Sequence, residues 1–337
     1  MTLPAEEAPR TNPPAAVTAQ VLTVGMTYRD LIMTGMDDLP RLGEESYASA
    51  LHEMWGGIAT MARVCRALGL SIALCTALGD DEQSRRLVSE MAEAGIDTAL
   101  SVTHPGWRLP VTIALSLPGD RAMVTVEDPP PAGIAAHLDE ADLDVEAIVV
   151  DLRDPGMDWL TRARSRGAKV FASRGFDPTG NWGEEELGAI GTCDVWMLNE
   201  LEARAFTGRD DPTEAARALA GRAPLVIVTL GADGMVGIDS ATGEQARVRA
   251  FPVTPQSLTG AGDSTLAALV FASQIPGLSL ADRLDVTAFI AASVIERPGG
   301  AANPPDLSQL VTRACERVGD DPRLARIAEV LGARLQG

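Results

Sequence analysis

The sequence predicts an α/β fold in which a mostly parallel sheet carries helices on both faces and a small β lid lies beside it. Short apolar runs rich in β-branched residues alternate with helical patterns along most of the 337 residues. Runs of this kind, separated by helices, are typical of parallel strands buried on both faces. A hairpin signal interrupts the alternation and predicts the lid.

The main sheet is predicted from continuous apolar runs, and the helices from apolar residues at helical spacing between them. The predicted strands cover residues 20–25, 71–77, 147–151, 168–172, 194–198 and 225–230. The predicted helices cover residues 57–69, 82–94, 157–166, 199–207 and 213–221. Glycine closes several of these helices, as it commonly does: Gly69, Gly95, Gly167, Gly208 and Gly221.

The lid is predicted from segments that break this rhythm. Residues 27–36 have a strand pattern, and residues 109–117 and 121–127 flank the turn signal Pro118-Gly119-Asp120. We expect the lid to be formed by about 27–47 and 98–130. A small flap outside the main sheet can exclude water from a bound substrate.

The two ends of the chain predict different structures. Residues 1–18 are rich in Pro, Ala and Glu and predict a disordered leader before a folded domain over 19–317. Residues 318–337 predict a C-terminal helix packed on that domain, because apolar residues recur there at helical spacing: Leu324, Ile327, Leu331 and Leu335.

Composition excludes several function classes. A net charge of −19 disfavours binding to nucleic acid or to an anionic membrane. The four cysteines have no metal-ligand spacing and predict buried free thiols in a reducing cytoplasm. No stretch has the pattern of a signal peptide or the length of a membrane span.

The segment Gly260-Ala261-Gly262-Asp263, followed by an apolar helical run, is the most informative in the chain. The glycines allow a sharp turn, and the amides at the helix start predict an anion site. A carboxylate inside an anion site suits one task, which is to take a proton from a group that attacks the anion. The segment therefore predicts phosphoryl transfer. The plainer interpretation is a turn with a capped helix.

Two further groups of residues follow predicted strands. Thr229, Gly231 and Gly234 come after an apolar run, where an open α/β sheet receives ligands, although they also suit a tight hairpin. Asn199 and Glu202 lie one helical turn apart, so both can face the same cleft. For Glu202 the alternative is a solvated carboxylate on a helix.

The substrate side is predicted near the start of the chain. Asp30 lies in an otherwise apolar run, so its carboxylate needs polar partners. Gly56-Gly57 precedes a predicted helix and would let a substrate approach bare backbone, or would form a simple loop-to-helix turn.

These motifs together resemble the PfkB carbohydrate-kinase family, also called the ribokinase-like family, over about residues 20–305. The matching sequence motifs, in chain order, are Val24-Gly25 with Asp30, Leu39-Pro40 with Gly43, Gly56-Gly57, Leu198-Asn199-Glu200-Leu201-Glu202, Val228 to Gly234, and Gly260-Ala261-Gly262-Asp263. The resemblance implies a ribokinase-like three-layer α/β/α sandwich with a mostly parallel central sheet and a small β-sheet lid. It also implies ATP-dependent phosphorylation of a hydroxyl group on a sugar or sugar-like substrate.

The resemblance also assigns roles to residues of this sequence. Asp263 would be the base, and the amides of Gly260, Ala261 and Gly262 the anion hole. The cofactors would be ATP and Mg²⁺, with Asn199 near the triphosphate, Glu202 ordering magnesium-bound water, and Thr229, Gly231 and Gly234 forming the nucleotide loop. The substrate would meet Asp263, together with Asp30, Gly56 and Gly57. Adenine would bind in the region 286–303.

Two departures from the family pattern leave alternatives open. Ser257-Leu258 stands where the family usually has Asp-Thr, which puts a monovalent-cation requirement in question. The helix after Gly57 has no asparagine, for which Thr60 could partly substitute. A nucleoside kinase of the same family and a catalytically silent nucleotide- or sugar-binding regulatory protein therefore stay open. We expect a small-molecule sugar or nucleoside as partner, a cytoplasmic location, and a homodimer through the lid as an open alternative.

Overall fold

The computed structural model describes residues 16–118, 120–131, 133–151, 158–174 and 191–336. In chain order its strands are β1 (Val17–Val24), β2 (Thr27–Thr34), β3 (Ala50–Gly57), β4 (Ile72–Cys75), β5 (Ala77–Leu78), β6 (Ile96–Asp97), β7 (Val102–Thr103), β8 (Val111–Leu117), β9 (Asp120–Val126), β10 (Leu143–Asp151), β11 (Lys169–Ser173), β12 (Val195–Asn199), β13 (Leu225–Thr229), β14 (Met235–Asp239) and β15 (Gln245–Val248).

The helices of the described residues alternate with these strands in the first part of the chain and follow one another after β15. They are α1 (Ile58–Ala67), α2 (Glu82–Glu93), α3 (Asp158–Ser165), α4 (Glu200–Thr207), α5 (Pro212–Leu219), α6 (Ala261–Ser273), α7 (Leu280–Ile295), α8 (Leu307–Glu316) and α9 (Arg323–Gln336). No helix in this part of the molecule combines the length and the hydropathy that crossing a membrane requires.

The main sheet has nine strands in the order β15-β14-β13-β12-β11-β10-β1-β4-β6, and the pairs from β13 to β6 are parallel. The last two strands, β14 and β15, are antiparallel. One face packs against α1, α2 and α6 to α9, and the other against α3 to α5. The predicted three-layer α/β/α sandwich is therefore confirmed, and the carboxyl ends of the parallel strands meet at one edge.

The lid is a four-stranded sheet in the order β3-β2-β8-β9. The predicted hairpin is present as β8 and β9, with Gly119 outside the described residues. The predicted lid segments omit β3, which pairs along its whole length with β2. Its sequence includes a charge and two glycines, so its strand conformation depends on hydrogen bonds from its neighbour rather than on its own propensity.

Several boundaries differ from the prediction. Residues 17 and 18, predicted to belong to the leader, lie in β1, while residues 1–15 lie outside the described residues. The predicted run 71–77 breaks at Thr76, whose amide donates to Ser101 Oγ, and Ala77–Leu78 pairs with β7 in a separate two-stranded sheet. Residues 102 and 103 therefore belong to that sheet and not to the lid.

The C-terminal helix packs on the domain, and most of the cysteines are buried as predicted. Helix α9 buries Leu324, Ile327, Val330 and Leu331 against the domain. Cys65, Cys75 and Cys193 are buried free thiols. Cys315 is free but exposed, because it lies on the outer side of α8, whose buried face is formed by Leu307, Leu310 and Ala314.

Candidate active site

A cavity of about 800 Å³ lies where the lid hairpin approaches the main sheet. Its walls come from the lid tip, the loop after β13, the segment that leads to α6, and helix α7. The residues that line it include Ser116, Leu117, Pro118, Thr229, Gly231, Gly234, Phe251, Ser257, Ala261, Gly262, Thr265, Ala288, Ala291, Ala292 and Ile295. The last four belong to the region predicted to bind adenine.

The loop after β13 brings its predicted residues to this cavity. Gly231 and Gly234 have positive φ values of 56° and 94°, which favour glycine. A Cβ on Gly234 would overlap the carbonyl oxygen of Val248, so this glycine also permits the close approach of β15. The predicted strand–turn–strand hairpin is present, and its turn forms part of the cavity wall.

Asn199 and Glu202 begin α4 and cap it reciprocally. Asn199 Oδ1 accepts from the Glu202 amide, and Glu202 Oε2 accepts from the Asn199 amide, both at 2.9 Å. Neither residue lines the cavity, but Asn199 is the register partner of Thr229, which does. Burial raises the pKa of Glu202 to about 7, against the lowering effect of its hydrogen bonds and of Arg174. Glu202 is therefore a partly buried capping residue rather than a solvated carboxylate.

The start of α6 is built as the sequence predicts, with one correction. Gly260 has φ 73° and precedes the helix, and Asp263 lies half-buried in its first turn. Gly262 is exposed and lines the cavity. The Ala261 amide was predicted to be part of the anion hole, but it donates to the Leu258 carbonyl at 3.2 Å. The Gly262 amide lies in the first turn of the helix, where a backbone amide can face an anion.

Asp30 lies on the face of the lid that is turned toward the main domain. Its side chain is 5% exposed and accepts a hydrogen bond from Thr112, its register partner on β8. Burial raises the pKa of Asp30 to about 6, although Arg121 and Arg29 oppose the shift. A Cβ on Gly56 would overlap the Asp30 carboxylate, so this glycine is needed to make room for it.

Gly57 and Thr60 have structural roles here. Gly57 caps α1 with φ 61°, and a Cβ on it would overlap the Met26 carbonyl oxygen. The buried Thr60 hydroxyl donates to the Trp55 carbonyl at 2.8 Å. Its proton is therefore already used, so Thr60 does not donate in place of the asparagine that the family pattern places in this helix.

The two predicted halves of the site meet at Gly260. A Cβ on Gly260 would lie 3.3 Å from both Met54 Cε and Thr60 Cγ2, and 3.1 Å from Ala301 Cβ. Met54 is the register partner of Asp30 in the lid. The start of α6 therefore lies between the lid strand that carries Asp30 and the cavity that the nucleotide loop lines.

The opposite face of the same lid strands is anchored to α2. The Arg29 guanidinium lies 4.5 Å from the Trp55 ring centroid and forms an ion pair with Glu53. Trp55 Nε1 donates to Glu90 on α2 at 2.6 Å. Because Arg29 and Trp55 adjoin Asp30 and Gly56 in sequence, this cluster holds the substrate-side strands in place.

Arg121 is a site residue that the motifs did not predict. It lies on β9 of the lid and donates to the carbonyl of Leu258, just before Gly260. Its charge also acts on Asp30. A single arginine in a strand gives no sequence signal, and only the pairing of β9 with β8 turns it toward the site.

The family model for the pfkB family carbohydrate kinases matches residues 18–307. The chain belongs to this family. It is a phosphotransferase with an alcohol group as acceptor, and its fold is ribokinase-like. It is similar to mouse (Mus musculus) ribokinase, with 27% identity over 307 residues that make up 85% of this chain and 92% of the relative.

Solved structures of pfkB-type kinases share the fold. A putative ribokinase from Agrobacterium tumefaciens superposes with a TM-score of 0.76 at 21% identity, covering 90% of this chain and 100% of that one. A putative ribokinase II from E. coli, solved in complex with ATP and Mg²⁺, has a TM-score of 0.73 at 18% identity and covers 88% of this chain and 99% of that one.

Proposed function

We propose that the protein transfers the γ-phosphoryl group of ATP to a hydroxyl group of a sugar or sugar-like substrate. The observation that carries this proposal is the position of the α6 start between the nucleotide-loop cavity and the Asp30 strand of the lid. Asp263 would accept the proton of the attacking hydroxyl. The amides of the first turn, with Gly260 and Gly262 allowing the approach, would stabilise the charge on the phosphoryl group.

The nucleotide side suits ATP with Mg²⁺. The cavity is lined by backbone at Thr229, Gly231 and Gly262 and by apolar side chains of Phe251 and α7, which suits a triphosphate that carries a purine. Glu202 fits an indirect magnesium ligand, because its half-buried carboxyl gives one oxygen to the helix cap and has a second to offer. Asn199 would lie beside the triphosphate. Bound Mg²⁺ would supply charge neutralisation between the phosphates.

The acceptor side suits a polyol. The Asp30 carboxylate can accept hydrogen bonds from two neighbouring hydroxyl groups, and Gly56 leaves its surface open. The Thr60 hydroxyl donates to the Trp55 carbonyl and therefore does not donate in place of the missing asparagine. We therefore expect an acceptor other than a plain pentose or hexose.

The test is a screen of sugars, nucleosides and phosphosugars by ATP-dependent ADP release. We expect turnover with at least one sugar-like alcohol. Turnover confined to nucleosides would favour the nucleoside kinase. If the protein binds ATP but releases no ADP with any of these compounds, the result would favour the silent regulatory protein.

We expect turnover to be independent of potassium. Ser257 is buried and neutral where the family usually has an aspartate, and the backbone of Gly300 approaches it closely, so no carboxylate is available there for a monovalent cation. The measurement compares kcat in matched buffers of potassium, sodium and a large organic cation. A several-fold activation by potassium alone would contradict this expectation.

We also propose a homodimer through the outer face of the lid. On the face opposite Asp30, Leu51, Ile113, Val124 and Val126 form an exposed apolar surface, with Val124 66% and Val126 67% exposed. Apolar surface of this kind on a sheet commonly marks an interface between copies.

Light scattering after size exclusion tests the dimer. We expect the wild-type protein to be dimeric, and Val124→Glu to be monomeric because the charge would be buried at the interface. Leu335→Glu, at an exposed apolar residue of α9, is the control and should stay dimeric. A monomeric wild-type protein would disprove the proposal.

The buried free thiols further support a reducing, cytoplasmic location.

A further inference from the structure

The C-terminal helix, which begins beyond the residues matched by the family model, contacts the back of the nucleotide cavity through one arginine. Arg323 is the first residue of α9. Its guanidinium donates to Asp321 at 2.7 and 3.0 Å, to Asp285 on α7 at 2.8 Å, and to the Arg249 carbonyl at 2.7 Å. It thereby joins α7, α9 and the segment that follows β15.

The same guanidinium stacks on a residue of the cavity wall. Arg323 Cζ lies 3.9 Å from the centroid of the Phe251 ring. Phe251 lines the cavity and packs edge-to-face on Phe289 of α7, with ring centroids 5.5 Å apart. Phe251 is therefore held between α7 and the start of α9.

The residues on either side of Phe251, Ala250 and Pro252, line a second cavity as well as the first. A second cavity of about 380 Å³ shares Ala232, Ala250 and Pro252 with the first, and Arg249 and Arg323 also line it. Phe251 itself is buried, and both Arg323 and Phe289 contact its ring, so the arginine is one of the supports of the ring.

We propose that Arg323 is a positioning residue for the base of the nucleotide: it holds the Phe251 ring in the apolar part of the cavity wall without touching the nucleotide itself. This inference rests on the proposed function, since it takes the cavity as the ATP site. The planar guanidinium can lie flat on a ring while its separate N–H groups bind two carboxylates, whereas a lysine ammonium is a point charge with no planar face to stack.

Loss of the guanidinium would also change the charge balance at this point. Asp285 and Asp321 place two carboxylates close together beside Arg323, and Asp321 acts on Asp285 electrostatically. Arg323 satisfies both carboxylates. A lysine keeps the positive charge between them, so Arg323→Lys isolates the loss of stacking from the loss of charge.

The test measures ATP, ADP and inorganic tripolyphosphate binding by calorimetry without any acceptor. For Arg323→Lys we expect ATP and ADP to bind about tenfold more weakly, with tripolyphosphate binding unchanged because it has no base. In turnover assays the KM for ATP should rise while kcat and the KM for the acceptor stay the same. Arg326→Lys, at an exposed ion pair on the same helix, is the control and should bind all three ligands normally.

A second variant tests the route of the effect. Phe251→Leu should weaken ATP binding by itself, and adding Arg323→Lys to it should cause little further loss, since the arginine acts through the ring. Normal ATP binding by Arg323→Lys, equal weakening of ATP and tripolyphosphate, or additive losses would overturn the inference alone. Failure of the wild-type protein to bind ATP would overturn the proposed function as well.

Discussion

Asp263→Asn is expected to lower kcat by several orders of magnitude while the fold and ATP binding stay intact. A positioned general base contributes about 10²–10⁴-fold to a rate, and asparagine cannot accept the proton of the attacking hydroxyl. The side chain lies half-buried in the first turn of α6, so asparagine fits the same space. The measurement is kcat with the acceptor found in the screen, together with ATP affinity by calorimetry.

Asp282→Asn is the matched control for Asp263→Asn. Asp282 also lies in the first turn of a helix, α7, so its replacement removes a comparable favourable interaction with a helix dipole. We expect a small change in stability from each variant and a loss of turnover only from Asp263→Asn. Near-normal turnover by Asp263→Asn would rule out Asp263 as the base.

Asp30→Asn is expected to stabilise the unliganded protein at neutral pH while nearly abolishing acceptor binding. Burial raises the pKa of Asp30 from 3.8 to about 6, so the folded protein holds this proton more tightly than the unfolded chain does. Stability therefore falls as pH rises through this interval, and above about pH 6 the full cost of burying the charge remains. A shift of this size corresponds to about 3 kcal/mol, which asparagine would avoid.

Binding of the acceptor depends on the Asp30 charge in the opposite direction to stability. Hydroxyl groups donate to the ionised carboxylate, so the KM for the acceptor should rise as pH falls below about 6. Thermal unfolding at pH 5 and pH 8 and the pH profile of kcat/KM measure the two effects. A lower melting temperature for Asp30→Asn at pH 8, or an unchanged acceptor KM, would contradict the assignment.

Gly56→Ala tests the space around the Asp30 carboxylate without removing the charge of that carboxylate. The added methyl group would overlap the Asp30 carboxyl, so we expect both stability and acceptor binding to fall. Asp30→Asn and Gly56→Ala should thus weaken acceptor binding alike and move the melting temperature in opposite directions. A Gly56→Ala protein with wild-type acceptor affinity would show that the contact is unimportant.

Local signals in the sequence were sufficient for most of the framework. The parallel strands, the β8–β9 hairpin and the start of α6 all depend on residues within a few positions of each other. The buried position of Asp30 also followed from its apolar neighbours. These features are predictable because apolar periodicity, turn residues and helix starts act over short distances along the chain.

Other features depended on long-range contacts and were missed. Strand β3 has little strand propensity and exists through its pairing with β2. The Ala261 amide and the Thr60 hydroxyl are already bonded, which their sequence neighbours do not reveal. Arg121 reaches Leu258 across 137 positions, and Arg323 reaches the Arg249 carbonyl across 74. No local pattern marks either arginine.

The order of residues along the chain was thus enough to identify an α/β kinase scaffold, its glycine-rich turn and its acidic residues, because each arises from neighbours in sequence. Which of these groups are free to act was decided by folding. Strand register brought Gly56 against Asp30. Packing between elements brought Met54 against Gly260 and Arg323 against Phe251. Such contacts form only when distant segments pack, since hydrogen-bonding and burial depend on neighbours in space.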